Sequence, residues 1–99
     1  MISRHWRGLA KEGYADAYVE HLQTETFPAI RALAGFEGAS ILKRDVPGGV
    51  EFLVITRWKS LDAIHAFAGE HVELAVVPEK VQAMMVEYDS TVAHYEVIS

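Results

Sequence analysis

The chain has no cysteine, three prolines and fewer bases than acids, and each shortage excludes something. Without thiols there can be no disulfide, no thiolate nucleophile, no zinc ribbon and no cysteine-ligated iron–sulfur cluster. Nine Lys and Arg against fourteen Asp and Glu leave a net charge of −5, with the bases scattered along the chain. Nucleic acid and anionic membrane surfaces are therefore not expected partners, because both need a concentrated positive surface. The longest apolar runs, such as Phe52-Leu53-Val54-Ile55, are far shorter than the ~20 residues needed to span a bilayer. The opening MISRHWRGLA lacks the apolar stretch of a secretory signal. A soluble, cytoplasmic protein is expected.

What the chain does contain is apolar: 51% of its residues are hydrophobic, ample for a packed core. One domain over residues 1–99 is expected, small enough that only about 60–65% of the unfolded surface is buried on folding. Met1 to about Leu9 reads as a strand. From Tyr14 the period changes, with Tyr14, Tyr18 and Leu22 four apart on one helical face running to about Glu25. Pro28 interrupts, and a short second helix, Pro28 to Ala34, is expected to stop at Gly35.

Phe36 to Val46 and Val50 to Trp58 are strand-like around Pro47-Gly48-Gly49, a hairpin signal. A three-residue loop would pair Arg44 with Phe52, a two-residue loop would pair it with Glu51, and both registers are open. Ser60 can cap a helix from Leu61 whose buried stripe is Leu61, Ile64 and Phe67 or Ala68, ended by Gly69. Glu70 to Val77 is ambiguous, Pro78 opens a helical turn to about Met85, and Asp89 to Ile98 is the last strand.

The order β-α-β-β-α-β is that of an α+β, ferredoxin-like plait with an antiparallel sheet, and right-handed crossovers place its strands in the order 4-1-3-2. His94, on the last strand, then lies beside Arg4 or Trp6 on the first. One sheet face remains uncovered by helices and carries either Leu53 and Ile55 or Phe52 and Val54, which predicts a homodimer.

Several stretches carry a family likeness: Trp6-Arg7-Gly8, Pro28-Ala29 through Gly35-Phe36 to Gly38, Trp58-Lys59-Ser60, Phe67-Ala68-Gly69, and Val92 with His94-Tyr95-Glu96-Val97. Together they resemble the antibiotic biosynthesis monooxygenase family over almost the whole chain. The resemblance implies a dimeric α+β barrel, two sheets face to face with helices outside. It also implies, as activity, cofactor-free oxidation of anthrone-like aromatics, haem degradation or quinone handling, with a ligand between helices and sheet and Trp58 lining its pocket. Haem-degrading members carry a ligating histidine ten residues after that tryptophan and an asparagine on the first strand. Here the first position is Ala68, and the chain has no asparagine.

The candidate catalytic residues are His94 and Arg4. His94, with an ordinary pKa of about 6.5, suits a general base or a hydrogen-bond donor to substrate, yet it can equally be a structural partner of a neighbouring strand or simply exposed. Arg4, two residues from Trp6 and so on the same strand face, could fix a phenolate or enolate oxygen or pair with an acid such as Glu96. Trp58, Trp6, Tyr18 and Phe67 are candidate walls for a planar ligand, with core packing the alternative. No metal is expected, since no two histidines show the i, i+4 spacing of a zinc helix. No cofactor is expected either; Gly48-Gly49 leads into a strand rather than a phosphate-binding helix N-terminus. The expected activity is cofactor-independent monooxygenation of a planar aromatic or quinone-like molecule. The alternative is a non-enzymatic small-molecule-binding or interaction protein on the same scaffold.

Overall fold

Period-two alternation sorts the first strand, β1 (Ile2–Ala10), into a covered face bearing Arg4, Trp6, Gly8 and Ala10 and an open face bearing Ser3, His5, Arg7 and Leu9. The computed structural model describes residues 1–99, and in it β1 is the central strand. β3 (Gly49–Trp58) runs antiparallel along its whole length, from Ile2 opposite Trp58 to Ala10 opposite Val50. β2 (Phe36–Val46) lies outside β3. The other edge of β1 carries β4 (Met85–Tyr88) at one end and β5 (Ala93–Glu96) at the other. The sheet is thus the antiparallel plait expected, in the expected order, with its fourth strand in two pieces.

The break in the last strand corrects the reading of Asp89 to Ile98 as continuous. Asp89 still donates its N–H to Arg7, but the chain then leaves β1. Ala75 donates to Ser90, Val92 donates to Glu73, and Leu74 pairs with Thr91. The backbone groups of 90–92 are satisfied by the segment 73–75 instead, and four residues, 89–92, stand opposite the two of β1 between His5 and Gly8. The same contact gives order to the stretch Glu70–Val77 that composition left ambiguous. The turn after Pro78 is also shorter than expected: α4 covers only Glu79–Gln82, and Met85, buried against Ala10, already belongs to β4.

A second correction concerns Pro28. The helix does not stop there: α1 (Ala15–His21) runs through a π-helical turn (Leu22–Thr26) into α2 (Phe27–Arg31). Proline lacks an N–H and its ring collides with the carbonyl four residues back in a regular helix, so a wide turn immediately before it lets the chain pass without ending. Gly35, at φ 88°, ends the run as expected. The hairpin takes the two-residue register, Arg44 opposite Glu51, with Gly48 at φ 91° in the position that needs positive φ. Ser60 caps α3 (Leu61–Ala68) by accepting from the Ala63 N–H.

Helices and sheet enclose a core in which Trp58, Phe52, Ile30 and Ile64 are fully buried. No helix is long and apolar enough to cross a membrane. The uncovered face displays Leu53 and Ile55 rather than Phe52 and Val54: Leu53 is 36% exposed, whereas Phe52 is 0%. Tyr95 and Leu42 share that face, and Tyr95 packs on His5 with ring centroids 4.9 Å apart. At one end of it Glu51 holds both Arg7 (2.8 Å) and Arg44 (2.7 Å).

Candidate functional site

A cavity opens between the covered face of β1 and β3 and the helical run. Arg4, Trp6, Val54 and Thr56 form its floor; Tyr18, His21, Leu22, Thr26, Phe27 and Ile30 form one wall, and Phe67 another. Val76, Val77, Pro78, Val81 and Val92 line the side where the segments 73–75 and 90–92 meet. The cavity has a volume of about 70 Å³. That is several water positions, room for a small ring rather than for a porphyrin.

Arg4 is the most unusual group in this wall. It is 4% exposed, and no carboxylate lies within ion-pair distance of it. Glu96, the acid considered from sequence, sits opposite Ile2 instead. Arg4 Nη1 donates to the carbonyl of Val72 (2.6 Å) and to Nε2 of His94 (3.0 Å), Nη2 donates to the carbonyl of Leu74 (3.0 Å), and Cζ lies 5.6 Å from the centroid of the Phe67 ring. Burial pulls its pKa down to about 10, still far above neutrality. A buried cation balanced only by dipoles and a π face is costly to hold, and an anion would find it already desolvated.

Two polar atoms in the wall bond to nothing in the chain: the Arg4 Nε–H and the Tyr18 hydroxyl. Every fully buried side-chain nitrogen or oxygen has a partner, so both reach accessible space. Arg4 and Tyr18 both line the cavity, so these are the polar atoms a ligand there could engage. Burial also raises the Tyr18 pKa, keeping the phenol neutral and a donor.

The sequence candidates separate into those that meet the cavity and those that stand behind it. Arg4, Trp6, Tyr18 and Phe67 line it. Trp6 donates its indole N–H to the Asp89 carbonyl (2.9 Å), and its ring folds back over Gly8, where a Cβ would come within 2.4 Å of it. That close approach is why Gly follows two residues after Trp. Trp58 does not reach the cavity. It is 0% exposed, donates to Thr56 Oγ1 (2.8 Å), meets Phe36 edge-on and stacks on Phe67 at 6.0 Å, so it fixes two lining residues from behind.

His94 is likewise outside the cavity, half-buried behind Arg4. Since a guanidinium only donates, Nε2 of His94 must accept, and the ring is neutral with its proton on Nδ1. Burial, and then the Arg4 charge, lower its pKa, against an opposing pull from Glu73.

One residue in the wall was missed as a ligand-facing group. His21, 6% exposed, faces the cavity with Nδ1 3.3 Å from Glu25 Oε2 and Nε2 3.2 Å from Thr26 Oγ1; Glu25 is in turn paired with Lys80. Residues five apart in a regular α-helix lie about 140° apart around the axis, whereas the π turn brings them together. The Glu25 contact has ordinary i,i+4 spacing, whereas no α-helical pattern could have shown the one with Thr26. The only signal was Pro28, which demands an irregularity just before it.

No group of three His, Asp or Glu side chains has metal-ligand spacing. Haem does not fit these residues: Ala68 stands where a ligand would be needed. His65 is exposed, committed to the Gly69 carbonyl (2.8 Å), and does not line the cavity.

The fold and much of the sequence have known counterparts. The chain is similar over its full length to a Bacillus cereus protein assigned as an antibiotic biosynthesis monooxygenase, with 26% identity, 93% of that chain covered and a TM-score of 0.70. It has the fold of the haem-degrader MhuD from Mycobacterium tuberculosis solved with two haems in its active site (20% identity, 100% of this chain and 97% of that one covered, TM-score 0.61). An MhuD mutant solved with two manganese protoporphyrins per active site is similar too (20% identity, 100% and 96% covered, TM-score 0.62). No curated protein sequence matches. The sequence profile described as antibiotic biosynthesis monooxygenase matches residues 1–72, from β1 through α3, and the chain therefore belongs to the antibiotic biosynthesis monooxygenase family.

Proposed function

We propose that this protein is a cofactor-independent monooxygenase acting on a planar aromatic or quinone-like small molecule. The observation that carries the reading is the buried Arg4 guanidinium, free of any carboxylate and with an Nε–H that no protein group accepts, in the lining of a largely apolar cavity. A cofactor-free oxygenation needs a substrate anion electron-rich enough to reduce dioxygen. Its chemical demand on the protein is to remove a proton and to hold the resulting enolate or phenolate oxygen. Arg4 and the neutral Tyr18 phenol supply two donors for that oxygen, Trp6 and Phe67 supply flat walls, and His94 holds Arg4 in place.

The reading includes a second copy of the chain. Leu53, Leu42 and Tyr95 lie exposed on the open sheet face beside half-buried Ile55, an arrangement that a face-to-face partner sheet would cover. A sedimentation run giving a stable monomer at micromolar concentration would count against this part.

Oxygen uptake with a panel of hydroquinones, 2-tetralone and anthrone tests the activity. Turnover that falls about 100-fold or more in Arg4→Met supports it. If no compound is oxidised, yet aromatic compounds raise the melting temperature, the protein is a binding module and the enzymatic reading is lost.

A further inference from the structure

We infer that His21 is the base of this cavity, taking a proton from the substrate carbon or hydroxyl whose oxygen Arg4 holds, with Glu25 as its positioning residue. The inference rests on the monooxygenase reading only for the class of substrate. Three observations carry it. His21 is 6% exposed and lines the cavity, so a ligand there meets its ring. Its Nδ1 faces a carboxylate, which can only accept; in the neutral ring Nδ1 therefore carries the proton and Nε2 the lone pair. That lone pair is held by nothing stronger than the Thr26 hydroxyl at 3.2 Å, long for a hydrogen bond from an O–H donor. Thr26 can rotate its proton away and leave Nε2 to the ligand.

This is the arrangement of a base oriented by a third group: Glu25 lies one helical turn on, and the π turn adds the Thr26 hydroxyl at the other nitrogen. It is also the one imidazole on the cavity wall with such an acceptor. His94, whose Nε2 is occupied by a cation, stands outside. Arg4 and His21 thus divide the work: for a ketone with an acidic methylene, the C–H bond breaks, the proton goes to Nε2 of His21, and the electron pair moves onto the carbonyl oxygen as an enolate beside Arg4. No oxidant enters this step. The substrate class narrows to compounds whose ionisable C–H or O–H is conjugated with an oxygen acceptor.

The step can be read without oxygen. Under strict anaerobiosis in heavy water, the wild-type protein is expected to exchange the benzylic methylene of 2-tetralone well above the buffer rate. His21→Gln should lose about 100-fold of that exchange while 2-naphthol, a planar mimic of the enol, still binds within threefold. Thr26→Val, which removes the hydroxyl competing for the lone pair, should exchange faster than wild type, and slower exchange in the folded variant would count against the inference. Histidine-ring NMR of the unaltered protein gives a readout independent of whether any variant folds: saturating 2-naphthol should shift His21 and leave the exposed His65 and His71 unmoved.

Exchange in His21→Gln within threefold of wild type, no exchange by wild-type protein that binds 2-naphthol, or an unperturbed His21 ring would each overturn the inference. Exchange that depends on His21 but is followed by no oxygen uptake would instead sink the monooxygenase reading and leave the base in place. Failure of wild-type protein to bind either probe would overturn both.

Discussion

Nη1 of Arg4 lies 3.0 Å from Nε2 of His94, across the pairing of β1 with β5, and the donor-only guanidinium makes the histidine an acceptor. The histidine that looked most like a catalytic group from its position in the strand therefore has a protein partner. It serves the cation that faces the cavity.

That bond has a pH signature. Burial and the Arg4 charge lower the folded pKa of His94 below its unfolded value near 6.5, so between those two values the unfolded chain binds more protons than the folded one. Stability is fully present above about pH 6.5 and falls as the pH drops through the window beneath it. His5 is lowered by burial and contributes with the same sign. Urea titrations at pH 7.5, 6.5 and 5.5 should show a declining midpoint, and His94→Gln should lose part of that slope. A slope unchanged in the variant would show that the bond does not govern the titration.

Arg4 also ties down the segment beside the cavity through the carbonyls of Val72 and Leu74. Arg4→Met should destabilise the fold by about 1–3 kcal/mol, because two partly buried acceptors lose their donors while the cost of the buried charge is relieved. Amide exchange should accelerate in 73–76, and the His94 ring should titrate at higher pH once the neighbouring charge is gone. An unchanged His94 titration would show that the cation does not control it.

Gly8 makes room for the Trp6 ring, which a Cβ would approach to 2.4 Å. Gly8→Ala should cost about 1–3 kcal/mol through overpacking and displace the ring. In a Trp58→Phe background, where Trp6 is the sole tryptophan, its emission should shift and ligand affinity change. Identical spectra would mean that the ring does not depend on this glycine.

Trp58 is fully buried and backs Phe67 and Thr56. Trp58→Ala should cost about 3–5 kcal/mol, and Trp58→Phe, which keeps a ring but leaves Thr56 without its indole donor, considerably less. Activity should fall with stability in the first and survive in the second. Loss of activity in a stable Trp58→Phe protein would place the indole closer to the ligand than its burial indicates.

Much of the frame was legible because local chemistry and period agree along the chain. Tyr18 and Leu22 recur at helical spacing, Ser60 and Gly69 bracket α3, and alternation along β3 separates Phe52 from Leu53. The candidate site was legible in part: Arg4, Trp6, Tyr18 and Phe67 meet at one cavity, whereas His94 and Trp58 stand behind it. The misreadings share a cause. The split of the last strand depends on 90–92 finding partners in 73–75, and the passage of the helix through Pro28 depends on a π turn, and neither follows from the period of its own segment.

By itself, then, the sequence determined the order of strands and helices, the absence of thiol chemistry and the family likeness, because these follow from composition, short-range periodicity and turn residues. Only the tertiary structure decided which strand face is covered, that Arg4 is buried without a counter-ion, that its partner is His94, and that His21 meets Glu25 and Thr26 at the cavity wall. Arg4 and His94 are far apart in the chain, His21 and Thr26 are made adjacent by an irregular turn, and no regular repeat carries that information.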